Sequence, residues 1–177
     1  LPELTWIYES VTYMNDVGLK GSFYQNDEQF VTFTDLQYYM ACKIMWNPEM
    51  SKEEYFDIMR TACIDYYGSE KVYDLLMIFE DCRDDHMWSD INTTTTDIYA
   101  LDEAKVNAQY DTIFNLIDEI REEVTDADCL ARFNRAVIGL QYDVISELHP
   151  LKYVNGSADE KEIFVARYKD MYDALYK

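Results

Sequence analysis

Residues Thr34 to Gly68, TDLQYYMACKIMWNPEMSKEEYFDIMRTACIDYYG, decide the fold. Leu36, Tyr39, Met40 and Ile44 recur at helical spacing and predict a helix from about Asp35 to Trp46. Thr34 or Asp35 is placed to cap its start, and Asn47-Pro48 stops it, because the residue before a proline is pushed out of helical geometry. Ser51-Lys52-Glu53-Glu54 then reads as a capping box, in which the Ser hydroxyl and the Glu54 carboxylate cover each other's free amides. Tyr55, Met59, Cys63 and Tyr66 continue along one face, and Gly68 closes the second helix.

Downstream the same period repeats. Ser69 caps a helix whose stripe is Val72, Leu75, Leu76 and Phe79. Asn92 to Thr96 is a polar β-branched tract and reads as a loop. Val106, Tyr110, Ile113, Ile117, Ile120 and Val124 mark a long helix, and Thr125-Asp126 breaks the chain and caps the next. That next helix carries Leu130, Phe133, Val137, Leu140, Val144 and Leu148. Two long stripes joined by so short a connection predict an antiparallel pair. His149-Pro150 reads as its end, Tyr153 to Gly156 as a turn, and Ser157-Ala158-Asp159-Glu160 as a second capping box. Phe164, Tyr168, Met171 and Leu175 mark the final helix.

Upstream, Leu4, Ile7, Val11 and Met14 make one helix face, which Gly18 can stop with a left-handed turn. Leu19 to Gln25 is the best strand candidate in the chain, short and interrupted by Gly21; a loop is the competing reading. A strand there has no partner in the rest of the sequence, and unpaired backbone groups are costly. The expected fold is therefore mainly α: a multi-helix bundle with antiparallel long helices, plus one short orphan strand near the N-terminus. Composition agrees. Of 177 residues 49% are hydrophobic, while only 5 are Gly and 3 are Pro, which disfavours a sheet-and-turn architecture.

Charge narrows the partners. With 15 Lys+Arg against 35 Asp+Glu the chain carries −20, which repels phosphate backbones and anionic lipid heads. Nucleic acid and membrane surfaces are thus excluded; solubility accounts for the acidity, with a cation or a basic partner as the alternative. Cys42, Cys63, Cys82 and Cys129 show no metal-binding or redox spacing and read as free thiols, most of them on apolar helix faces. No apolar run approaches the ~20 residues that span a bilayer. The chain opens at Leu1-Pro2 without an initiator Met or signal, as expected of a piece cut from a longer protein, so the localisation stays open.

Few residues suggest chemistry. Asp84-Asp85-His86 are adjacent and point to different sides of a helix, so a solvated helix end explains them better than a metal site. His149 sits at a helix end, where an imidazolium complements the dipole. Asp118, Glu119, Glu122 and Glu123 read as a solvated face, with no Glu-x-x-His motif to suggest a dinuclear site. No metal or cofactor is expected. Tyr24, Gln25, Asp27 and Glu28 follow the candidate strand. With Asn26 they form one cluster; on a barrel rim its carboxylates would act as acid, base or sugar-hydroxyl acceptors and Gln25 would make a bidentate contact to a sugar, and otherwise the cluster is a polar loop. Trp6 and Trp88 read as core, and Trp46, at a helix end beside Pro48, is ambiguous.

Three stretches carry a family resemblance. Tyr13 to Gln25 (YMNDVGLKGSFYQ), Asp35 to Pro48 (DLQYYMACKIMWNP) and Ile64 to Gly68 (IDYYG) are similar, in this order, to stretches of a bacterial glycoside-hydrolase-like family of unknown function. That family combines a TIM-type barrel, akin to α-glucuronidases and hexosaminidases, with a C-terminal helical region. The resemblance covers roughly Leu1 to His86. It implies that residues 1–33 are the last helix and strand of the barrel and that 34–177 are the C-terminal helical domain. It further implies that Gln25 lies near substrate, that the principal catalytic carboxylates lie on absent earlier strands, and that carbohydrate is met through the parent barrel. The helices would then buttress the barrel, with self-association as a further role and an extracellular or cell-surface parent among the options. The alternative is a non-catalytic helical module that binds a glycan or a partner protein.

Overall fold

The computed structural model describes residues 4–19, 32–83 and 101–175. They fold as α1 (Leu4–Asp16), α2 (Thr34–Trp46), α3 (Lys52–Tyr67), α4 (Lys71–Asp81), α5 (Glu103–Glu123), α6 (Ala127–Leu148), a π-helical turn (His149–Val154) and α7 (Ala158–Leu175). The chain is a mainly α multi-helix bundle. Among the described residues there is no strand, only an isolated antiparallel bridge between Arg83 and Leu101. Of the candidate strand only Leu19 is described, with no regular structure; residues 20–25 lie outside the described residues, as do 92–96.

Local chemistry sets most helix ends. Gly18 takes φ +81°, and Leu19 N–H reaches back to Met14 O at 3.0 Å, closing α1 with a left-handed turn. Ser51 Oγ accepts Glu54 N–H at 3.1 Å and starts α3; Gly68, at φ +84°, ends it. Asp102 and Asp126 cap α5 and α6 by accepting the amides of Lys105 and Cys129, at 3.0 and 2.8 Å. At α7 the capping box is reciprocal: Ser157 N–H donates to Glu160 at 2.9 Å, and Glu160 N–H to Ser157 Oγ at 3.3 Å.

Two ends differ from expectation. Neither Thr34 nor Asp35 caps α2. Phe33 stands there in left-handed geometry, φ 54°, with no side-chain cap; its ring is buried edge-on to Tyr67, centroids 5.1 Å apart. Beside the buried ring, Gln37 Nε2 donates to Thr32 O at 3.0 Å across the same turn. After α6, which ends at Leu148 before His149-Pro150 as expected, the chain does not pass straight to a turn over Tyr153 to Gly156. The chain continues as the π-helical turn, in which Asn155 N–H bonds Pro150 O at 3.1 Å across a wider loop that accommodates the proline.

One continuous core runs from Leu4 and Ile7 of α1 to Phe164 and Met171 of α7. α6 turns back along α5, with Arg121 Nε donating to Asn134 Oδ1 at 2.9 Å beside the connection. The predicted stripes of α4 and α5 are buried in full, as is that of α6 apart from half-buried Leu130. α3 ties the two halves together by packing on α6. At that junction Gly68 leaves no room: a Cβ there would stand 3.0 Å from Val124 and 3.2 Å from Cys129. α1 is fixed to the same body. Tyr55 donates to Leu4 O at 3.0 Å, Tyr8 donates to Met50 O at 3.1 Å, and Leu4 N–H donates to Glu80 at 3.2 Å.

Three aromatics predicted inside are exposed instead: Tyr39, Tyr66 and Tyr168, at 43%, 36% and 49%. In α3 the buried place belongs to Tyr67, a full four residues after Cys63, so Tyr66 is rotated outward. All four cysteines are free thiols, with Cys42 exposed. Burial, then the charge of Asp74, pushes the Cys63 thiol up to about 12, which keeps it protonated and unreactive.

Candidate functional site

Tyr24, Gln25, Asp27 and Glu28 lie outside the described residues, as do Asp84, Asp85, His86 and Trp88. His149 is described and exposed on the π-helical turn, its ring 5.2 Å from Tyr153 and 6.0 Å from Phe164. That is packing geometry. The acidic run on α5 binds its neighbours. Asp118 takes Arg167 at 2.7 Å, while Glu119 and Glu123 share Lys71 at 3.0 and 2.8 Å. Ser69 donates to Glu123 as well. The Lys71 ammonium and the Ser69 hydroxyl hold the Glu123 carboxyl below the usual carboxylate range. Among the described residues no group of His, Cys, Asp and Glu is arranged to hold a metal ion.

The surface with most character lies between α2 and α3. These helices run antiparallel, since Tyr66 near the end of α3 donates to Asp35 at the start of α2, at 2.9 Å. Burial, and then that bond, raises the Tyr66 phenol above its ordinary value. Arg132 of α6 holds the same ring from behind: its guanidinium lies 4.5 Å from the ring centroid and its Nε donates to Tyr66 O at 2.7 Å. The outer side is an open groove of about 440 Å³. Tyr39 and Lys43 form one wall; Glu53, Glu54, Asp57 and Ile58 form the other. Trp46, seven residues after Tyr39, continues the same face of α2 and is 91% exposed. The Lys43 ammonium rests 5.0 Å over the Tyr39 ring. The groove presents the Tyr39 ring, the Lys43 ammonium and three carboxylates in the open. Sequence reasoning placed Tyr39 in the core; the signal available was Lys43 and Trp46 at the following turns of its own face.

A second surface lies at the end of α1. Leu4 and Ile7 are buried, but Tyr13 and Val17, four residues apart, are 67% and 56% exposed, and Leu19 beyond the turn is 55% exposed. Apolar side chains thus face outward where the chain enters residues 20–31.

No family model, curated protein or solved structure matches this chain. Among the described residues, no helix is long and apolar enough to cross a membrane.

Proposed function

We propose that this chain is the helical C-terminal segment of a glycoside-hydrolase-like protein acting on polysaccharide or glycoconjugate, and that it buttresses the catalytic barrel. The observation that supports this reading is the outward apolar end of α1: Tyr13, Val17 and Leu19. On a chain of net charge −20, clustered exposed apolar groups mark a place where another surface belongs. Tyr13 and Val17 precede, and Leu19 opens, the Leu19 to Gln25 stretch, which in this reading is the barrel's last strand. In this reading Tyr24, Gln25, Asp27 and Glu28 stand near substrate on the rim, and upstream strands supply the reacting carboxylates.

Two measurements test it. The coding sequence ahead of residue 1 should hold a run of βα units; an open reading frame without them ends the proposal. In the full-length protein, Tyr13→Asp with Val17→Asp should expose α1 to faster hydrogen exchange and lower the midpoint of the barrel's unfolding. An unchanged barrel midpoint speaks against buttressing. The second reading, a non-catalytic module that binds a glycan or a partner protein, is favoured by the exposure of Trp46. Binding of the isolated chain to immobilised glycans, lost in Trp46→Ala, would support its glycan form.

A further inference from the structure

Two packed antiparallel helices with a furrow between them have the shape into which a third amphipathic helix lays its apolar face. The α2–α3 groove has that shape; its lining is mixed, with Tyr39 and Ile58 as the apolar members among charged and hydroxyl side chains, and Trp46 stands beyond it on the same face of α2. Tyr39 and Trp46 stand on one face of α2, about 10 Å apart at helical rise. Half-buried Ile58 contributes from α3. An exposed Trp is the side chain that contributes most to binding once a partner covers it.

Charge selects the partner. Glu53 and Glu54 make no ion pair among the described residues. Lys52 pairs with Glu9 at 3.1 Å, away from the groove, while Arg60 pairs with Glu70 at 3.3 Å and with the groove's own Asp57 at 3.4 Å. Of the side chains lining the groove, Lys43 is basic and Glu53, Glu54 and Asp57 are acidic, which leaves Glu53 and Glu54 as the carboxylates open to a partner. Net charge of −20 adds long-range attraction for basic partners and repulsion for acidic ones.

We propose that the α2–α3 groove docks a basic amphipathic helical segment of a partner protein. Its apolar face would cover Tyr39, Ile58 and Trp46, and its Lys or Arg side chains would meet Glu53 and Glu54. This rests on the second functional reading, in its partner-protein form, and is independent of the barrel-facing end of α1.

The test titrates the chain with a synthetic Lys/Leu amphipathic helical peptide, a Glu/Leu peptide of the same pattern, and soluble neutral oligosaccharides, followed by calorimetry and tryptophan emission. The Lys/Leu peptide should bind and the Glu/Leu peptide should not. Trp46→Ala and the pair Glu53→Gln with Glu54→Gln should each weaken binding by about tenfold or more, about 1.4 kcal/mol. A distant control pair on α7, Glu162→Gln with Asp173→Asn, should leave it unchanged. Equal loss in the control pair would mean diffuse charge attraction and would overturn the proposal. So would oligosaccharide binding that displaces the peptide, or a Trp46→Ala variant that binds as tightly as the parent. None of these outcomes bears on the barrel reading, whose tests probe α1.

Discussion

The bundle contains two helical hairpins of the same plan and opposite finish. In α5–α6 the facing stripes are buried along their length, and α4, α3 and α7 cover the outer sides. In α2–α3 the inner residues Leu36, Met40, Ile44, Tyr55, Met59 and Cys63 are as well buried, but the outer side carries Tyr39, Trp46 and Tyr66 in solvent. Both hairpins follow the same rule of apolar periodicity. Three further helices pack on each, α1, α4 and α6 on α2–α3 and α3, α4 and α7 on α5–α6, so what sets them apart is the side chain left outside: Trp46, at the end of α2, is 91% exposed. An edge that keeps so large a ring in water is available for binding.

That contrast can be broken by mutation. Phe133, fully buried on α6, should cost about 3–5 kcal/mol on replacement by Ala, read by urea unfolding. If Trp46→Ala costs as much, the two hairpins are not different in kind. Gly68→Ala comes next. It forces an alanine into left-handed backbone and against Val124, at an expected cost of about 1–2 kcal/mol. Loss of less than half of that would mean the junction between the hairpins is looser than described.

The third prediction concerns pH. Lys71, aided by Ser69, lowers the Glu123 value, so its stabilisation is present above the unfolded carboxylate value and disappears as pH falls through the folded one. Glu123 and Glu119 raise the Lys71 value, so the same link persists below the unfolded lysine value and is lost only as pH rises through the folded one. The melting temperature of Glu123→Gln should therefore approach that of the parent chain on the acid side and fall below it between these limits. Identical profiles at neutral pH would show that α4 and α5 are not joined through this pair. The smallest effect is expected at the open hairpin: Trp46→Ala should change stability by no more than about 0.5 kcal/mol.

Much of the fold is legible in the sequence, for a reason visible in α5. Its neighbours cover a broad stripe, so every predicted position from Val106 to Val124 is inside. Where coverage is narrower, periodicity admits an extra ring. Tyr39 and Tyr168 sit at helical spacing from buried residues and still face water, and Tyr66 and Tyr67 are told apart only by whether the turn is counted as three residues or four. Caps made by Ser51, Asp126 and Ser157 are readable because a side-chain oxygen three residues ahead of an amide is a local device. Phe33 is not readable in this way, because a buried ring from α3 fixes its backbone. The candidate site was visible only as the ambiguity at Trp46, since exposure depends on what packs alongside and no single stretch records that. Tyr24, Gln25, Asp27 and Glu28, the residues expected on a barrel rim, lie outside the described residues.

The contact between Arg83 and Leu101 has a consequence of its own. Asp102 N–H donates to Cys82 O at 2.8 Å, and Lys105 Nζ reaches Arg83 O at 3.5 Å. The chain departs from α4 and re-enters α5 through one stapled doorway. The donor and acceptor of the 2.8 Å bond are main-chain groups, which every residue type but proline supplies at position 102, so the latch between the two helix ends does not depend on which side chain stands there.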